Sequence, residues 1–469
     1  MKVLFVFGSS VSLEVFVESE TLEKSTKEFP DIQNLVAIRK NLLTKSPEKV
    51  KIKDVSASVH QFTGMKMQEK LFRVMLSFEF IKRRKESVAF SRRMSRKFKG
   101  NYQRKFLGRN RYSEILKTNM LNPENIILVL GYVPLVAGVI RKALRILYPY
   151  PTELDQICKD SSPDLIILIS NGAEPSLLEV PMVALKNKIP WNLVVDNWDN
   201  LSSKTVFWEK PDHIYVWGKH HSETATTFHG IPQGRITEIG TPRINFPALL
   251  GNPNPQSNIV LYAGMQPAYD EVSDLENLIN ECVINNYDLL YRPHPLRKFT
   301  ISEKVRIQEL AKNKNFYINF SENFKDYRDN ILMSLNLNPR YSELTKDDLL
   351  SKNLLCVIAT PTSLALEALV YDQQLIMVAR DDQIHETTAS TYWNLYPYFE
   401  PLKYEKGIRV VTNHLEMLRE LKAIIGGGQT KANSRQLVAK ICKSGKESWA
   451  FNLLKEVHST SEKTPQEID

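Results

Sequence analysis

Arg292 and His294 close one apolar run of this chain, and Thr360, Thr362 and Ser363 close another some sixty residues later. A permanent cation, a group that titrates near neutrality and a cluster of hydroxyls are together suited to holding phosphate. In Tyr291-Arg292-Pro293-His294-Pro295 two prolines fix φ on either side of the histidine, so its imidazole sits on a stiff loop. In Ala359-Thr360-Pro361-Thr362-Ser363-Leu364 the hydroxyls fall among the unpaired N–H groups of a starting helix, whose end carries about half a positive charge and favours an anion. The same hydroxyls can also serve as an ordinary N-cap, and a single histidine can be purely structural.

The elements that must position these groups are legible from their apolar pattern. Leu354 to Ile358 and Asp288 to Tyr291 read as strands buried on both faces, and Leu364, Leu366, Ala368 and Leu369 form the apolar side of a helix. Open α/β sheets bind ligands where strands end and helices begin. Strand Ile259 to Tyr262 runs into Ala263-Gly264-Met265, where Gly264 would let the backbone approach a donor phosphate. The polar loop Arg380 to Thr388 follows strand Leu375 to Val378 and reads as solvated or as facing the same ligand.

The run YRPHP, then TPTSLALEAL, then strand Gln374 to Val378 resembles the nucleotide-binding half of a GT-B glycosyltransferase. Its His-Pro element is similar to that of bacterial sialyltransferases, capsule Kdo transferases and CDP-glycerol glycerophosphotransferases. The resemblance implies donor-phosphate contacts from His294 and from Thr362 or Ser363, with Glu367 a ribose contact. Trp191 to Val195 followed by Asp196-Asn-Trp-Asp199-Asn-Leu-Ser202-Ser203-Lys204, then PDHIYVWG, HGIP and GTPR, resembles surface-polysaccharide transferases of the same group. Together the resemblances cover roughly residues 160 to 400.

Glycosyl transfer with inversion needs a carboxylate to deprotonate the acceptor and cations or dipoles for the leaving phosphate. Asp196, Asp199 and Glu174 all lie just beyond apolar strands. Asp199 is the preferred base and Asp196 the second, although an Asp before Asn also caps turns. Glu174, Ser202, Ser203 and Lys204 are assigned to the acceptor side. The commonest retaining GT-B enzymes carry two glutamates eight positions apart, and counting back from Glu367 gives Ala359, which argues against that subclass. UDP-N-acetylglucosamine 2-epimerases open with a Gly-Thr-Arg-Pro-type loop where this chain has Gly8-Ser9-Ser10-Val11, which argues against an epimerase. No metal and no cofactor is expected, the nucleotide-activated donor being a substrate.

The 469 residues, 42% hydrophobic and 25% charged, are enough for two large cores. The expected fold is α/β of GT-B type, with two doubly wound Rossmann-like domains facing a central cleft. Residues 1–248 form the acceptor-side domain with a basic helical insertion near 65–115, 249–258 a linker, 259–457 the donor domain and 458–469 a frayed polar tail. Cys158, Cys282, Cys356 and Cys442 lack metal-like spacing and read as reduced core residues. The chain enters a strand directly after Lys2 with no signal-peptide pattern, so a cytoplasmic location is expected.

Charge is sharply localised. Lys82 to Arg111 holds thirteen Lys and Arg against Glu86 alone, a surplus of twelve that exceeds the +9 of the whole chain. Aromatic and apolar residues alternate with Lys82, Arg83, Arg84, Arg92, Arg93 and Arg96, the pattern of a basic amphipathic segment at an anionic bilayer. A solvated helix is the plain alternative. Nucleic acid is disfavoured because no nucleic-acid fold signature accompanies the run. The sequence thus points to a transferase at the inner face of the plasma membrane, moving a sugar from a nucleotide donor to a glycan or lipid-linked acceptor. The alternatives are a CDP-glycerol-like polyol-phosphate transferase and a non-catalytic scaffold that binds membrane or RNA.

Overall fold

The computed structural model describes residues 1–9, 12–13, 16–17, 19–40, 57–64, 66–82, 133–170, 172–243, 257–266, 269–295, 297, 299–320, 341, 344–385, 388–405, 407–428, 434–443 and 447–462. The described chain divides into two compact units, one built around each of two parallel sheets.

In the first unit the strands are β1 (Lys2–Phe7), β2 (Gln33–Arg39), β3 (Ser58–Phe62), β4 (Leu165–Ser170), β5 (Trp191–Val195), β6 (His213–Val216) and β7 (Ile236–Glu238). Their order is β3-β2-β1-β4-β5-β6-β7 and every pair is parallel. Runs such as Leu165-Ile-Ile-Leu-Ile169 are apolar throughout because helices cover both faces of a parallel sheet. Alternation then sorts the side chains. Leu4 and Val6 join one core with Leu35, Ala37, Ile166 and Leu168, while Val3, Phe5 and Phe7 join the other with Val36, Ile167 and Ile169.

In the second unit β8 (Ile259–Ala263), β9 (Asp288–Arg292), β10 (Phe316–Ile318), β11 (Cys356–Ala359), β12 (Leu375–Val378) and β13 (Arg409–Val411) take the order β10-β9-β8-β11-β12-β13, again all parallel. Capping boxes open two of its helices. Thr300 with Glu303 starts Ile301–Leu310, and Thr345 with Asp348 starts Lys346–Ser351. All four cysteines are buried and free. No helix among the described residues is long and apolar enough to cross a membrane.

The chain end departs from the sequence reading. Residues 439–457 were assigned to the second domain, yet Ala439–Asp469 belongs with the first unit. Helix Trp449–Glu462 lays Trp449, Ala450, Leu453, Leu454 and Val457 against Phe5, Phe16 and Tyr215. The expected tail from 458 is helical to Glu462, with the His458 ring 5.9 Å from that of Phe29. The physical reason is the unsatisfied apolar face of the first sheet, which this amphipathic helix completes. The linker 249–258 falls almost wholly outside the described residues, as does the insertion beyond Lys82, including Arg83, Arg84, Arg92, Arg93 and Arg96.

Leu454 is fully buried in this core. Leu454→Ala is expected to destabilise the first unit by about 2–5 kcal/mol in urea unfolding followed by tryptophan fluorescence. A change under about 0.5 kcal/mol, as for a surface site, would contradict the placement.

Candidate functional site

Strand order in the second sheet reverses between β8 and β11, and in open α/β sheets ligands bind at the carboxyl edge where such a reversal occurs. Gly264 and Thr360 are the first residues past those strands. Thr360 is fully buried, and both its N–H (3.1 Å) and its hydroxyl (2.9 Å) donate to the Ala263 carbonyl. It ties the two strand ends together. The Gly264 N–H donates to the Arg292 carbonyl at 3.0 Å. A Cβ on Gly264 would stand 2.3 Å from Glu271 Oε2, so glycine is required by a buried carboxylate.

The helix after β11 spans Ser363–Val370. Thr362 is its N-cap in extended conformation, makes no side-chain capping bond, and its Oγ1 is buried without a hydrogen-bond partner. Ser363 follows half-buried. Glu367, buried, pairs with Lys346, whose Nζ lies 3.0 Å from its Oε2. Arg292 donates to the Asn319 side chain, and Asn319 in turn donates to the Tyr341 (2.6 Å) and Leu344 (3.0 Å) carbonyls. His294 is half-exposed, and its carbonyl accepts the Arg297 N–H at 2.8 Å, which closes the His-Pro loop into a turn.

Sequence reasoning missed the groups that hold this edge in place. Arg297, almost fully buried, donates to the Tyr269 carbonyl (2.5 Å) and to Glu303 (2.6 Å) and approaches Glu271 at 3.8 Å. Glu271 accepts the Met265 N–H and the Tyr291 hydroxyl, each at 2.6 Å. Burial raises its pKa above the ordinary value, against the pull of Arg297. Asp274 accepts from Tyr262 (2.6 Å), Tyr269 (3.0 Å), Arg380 (2.9 Å) and His414 (2.9 Å). Asp382 accepts the Asp270 N–H (3.0 Å) and the ring of His385 at Nδ1 (2.7 Å). Burial alone would raise its carboxyl, but the His385 ring and the backbone N–H groups of His385, Ile384 and Asp270 outweigh burial and hold it at about 2. One signal was available: Glu271 and Asp274 fall on the same helical stripe as Leu275 and Leu278, acids where a core face should be apolar.

The first sheet reverses between β1 and β4. Gly8 follows β1, and a Cβ there would meet Glu174 Cδ at 3.0 Å. Glu174 itself accepts the Ser170 hydroxyl (2.5 Å) and the Ala173 N–H (3.2 Å). Asp196, buried, accepts the Ser12 hydroxyl at 3.1 Å and lies 3.5 Å from Arg243 Nη2. Asp199 starts the short helix Asn200–Ser203 and pairs with Lys204 at 2.8 Å. Ser202 and Ser203 are buried with their hydroxyls on the Asp199 carbonyl (3.3 and 2.7 Å). Asp199 and Lys204 are therefore brought together, whereas the two serines act within the turn.

No protein-family model matches the chain, and no curated protein matches it in sequence. Solved structures do match. The UDP-GlcNAc 2-epimerase of Neisseria meningitidis bound to UDP-GlcNAc is 11% identical with a TM-score of 0.50, over 99% of this chain and 100% of that one. A putative UDP-N-acetylglucosamine 2-epimerase of Listeria monocytogenes is 11% identical with a TM-score of 0.50, over 100% and 98%. The lipopolysaccharide outer core galactosyltransferase WaaB in its apo form is 12% identical with a TM-score of 0.46, over 98% and 100%. The chain has the GT-B fold, with two doubly wound Rossmann-like domains.

One further residue braces the Asp196–Asp199 loop. His221 is buried, its Nε2–H donates to the Trp198 carbonyl at 2.5 Å, and its Nδ1 has no partner. Burial lowers its pKa to about 4. A base with a depressed folded pKa contributes stability that is complete above the unfolded value of about 6.5 and is lost as pH falls toward 4. Chemical denaturation at stepped pH is expected to show a loss on the order of 3 kcal/mol across that window, and His221→Gln is expected to flatten it. An unchanged slope in His221→Gln would refute the assignment.

Proposed function

We propose that this chain is a sugar-nucleotide-dependent glycosyltransferase, inverting and independent of metal, that acts on a glycan or lipid-linked acceptor at an anionic membrane. The observation that carries the reading is the helix start at the strand-order reversal of the second sheet, where Thr362 Oγ1 is buried and unpartnered and Ser363 follows. A phosphate there receives a hydroxyl and the free N–H groups of the first turn. His294 and Arg292 approach from β9, on the other side of β8. The proximity of a cation and an imidazole stabilises the diphosphate as it leaves. Gly264 and Thr360 hold the strand ends that frame this cradle, and Glu367 serves the helix through Lys346. Asp199 is the proposed base. Its side chain is the most exposed among Glu174, Asp196 and Asp199, and Lys204 orients it.

The membrane partner is supported by helix Pro134–Leu147. Leu135, Val139, Ile146 and Leu147 are 62–85% exposed on it, beside Lys142. Arg141 joins this helix to Glu79 at 3.3 Å on helix Lys66–Lys82, which leads into the thirteen Lys and Arg of Lys82 to Arg111. An exposed apolar stripe, in a chain whose sequence also carries a dense run of positive charge, fits an anionic bilayer, where each basic residue contributes about 1 kcal/mol.

Two measurements test the reading. In a thermal-shift screen against UDP, GDP, CDP, CMP and dTDP, one nucleotide at a hundredfold its Kd is expected to stabilise the fold by about 2.7 kcal/mol. His294→Ala should abolish that shift while Asp199→Asn keeps it and loses turnover; a silent screen would remove the donor reading. In flotation, the protein should rise with vesicles of phosphatidylglycerol and phosphatidylcholine but not with phosphatidylcholine alone. The double variant Val139→Asp, Ile146→Asp should stay at the bottom, and flotation unaffected by it would rule out this helix as the docking face.

A further inference from the structure

The loop after β12 contains a carboxylate–imidazole pair that the phosphate cradle does not yet use. Asp382 is buried and both its oxygens are occupied. Oδ1 accepts the backbone N–H of Ile384 (3.0 Å) and His385 (2.9 Å), while Oδ2 accepts the Asp270 N–H (3.0 Å) and His385 Nδ1–H (2.7 Å). The ring is therefore fixed in direction from behind. The His385 side chain is 15% exposed, and among the described residues Nε2 has no partner. Such a ring presents one nitrogen outward, with a buried carboxylate to balance a positive charge on it.

The topology places the loop that carries this ring. Sheet order is β8-β11-β12, and β11 and β12 end level, with Ala359 opposite Met377. Yet the loop after β12 is bonded to residues that follow β8. Arg380 donates to the Asp270 carbonyl (2.8 Å) and to Asp274 (2.9 Å), its guanidinium lies 4.9 Å from the Tyr269 ring centre, and Asp382 takes the Asp270 N–H. To make those bonds the segment Arg380–Asp382 passes the end of β11, the strand that leads into Thr362 and the helix start, and His385 is held to that segment by Asp382.

Resting on the donor reading above, we propose that His385, oriented by Asp382, is a second phosphate-binding residue, its Nε2–H donating to the diphosphate of a nucleoside diphosphate donor from the β12 side while His294 approaches from the β9 side. The two histidines then flank the helix start on loops from either side of the β8–β11 reversal. Asp382 is a positioning residue and does not touch the donor.

The test uses the full chain and titration calorimetry with UDP, GDP and CDP, each against its own nucleoside. A hydrogen bond to a charged group corresponds to roughly tenfold to a hundredfold in affinity. His385→Ala is expected to weaken the preferred nucleoside diphosphate by that factor and to leave its nucleoside unchanged. Because Asp382 also braces the loop, Asp382→Asn is judged only where its melting temperature stays near that of the wild type, and the same selective loss is expected. Equal affinity for the diphosphate in His385→Ala overturns the assignment, as does an equal loss for diphosphate and nucleoside, which marks a purely structural residue. A wild type that binds none of the three diphosphates overturns this assignment, and one that also binds neither CMP nor dTDP overturns the donor reading itself.

Discussion

Asp274 is the group on which the carboxyl edge of the second sheet depends. It has no exposed surface, and a carboxylate so placed costs several kcal/mol unless its lone pairs are filled. Four donors fill them: Tyr262 from β8, Tyr269 from the loop that follows it, Arg380 from beyond β12 and His414 from the helix after β13. Replacing such a network with apolar side chains can be neutral for stability, so its effect is better sought in placement. Each donor belongs to a different segment, and a single carboxylate makes their positions conditional on one another. Glu271, one helical turn earlier, does the same for the Met265 N–H, Tyr291 and Arg297. Through Arg297 the constraint reaches the His-Pro loop.

The two sheets solve a shared problem in the same way. At each strand-order reversal a glycine follows the unit's first strand and a glutamate carboxyl lies against it, Gly8 with Glu174 and Gly264 with Glu271. A side chain at either position would displace the carboxyl. The glycine therefore makes room for protein before it makes room for ligand. This changes the meaning of Gly264, which the sequence pattern assigned to a donor phosphate. Its N–H is already given to Arg292, and Thr360 likewise gives both its donors to Ala263.

The architecture was legible because buried parallel strands are continuous apolar runs, and those at Lys2, Trp191, Ile259, Asp288, Leu354 and Gln374 could be read directly. Positions of chemistry at strand ends were legible for the same reason. What individual polar residues bond was not, because partners are set by contacts distant in sequence. Asp382 meets Asp270 across 112 positions and Asp274 meets His414 across 140. Ser202 and Ser203, assigned to the acceptor side, both donate to the Asp199 carbonyl, a local bond that composition does not reveal. Helix Trp449–Glu462 was misassigned because chain order suggested the nearer sheet, while its apolar face fits the more distant one.

These observations separate two kinds of hydroxyl within three residues. Thr360 is satisfied by backbone and holds β8 to β11, whereas Thr362 is half-buried with its Oγ1 buried and unanswered at the head of a helix. An orphaned buried hydroxyl carries a desolvation cost of about 1–3 kcal/mol that a ligand can relieve. The surrounding loops are held by Asp274, Glu271 and Asp382, so little rearrangement is needed when that ligand arrives. Rigid donors already aimed at an anion favour its binding because the ordering entropy has been met during folding. In this second unit the buried acids act as the frame, and on the proposed reading the unpaired hydroxyl of Thr362 is the point of recognition.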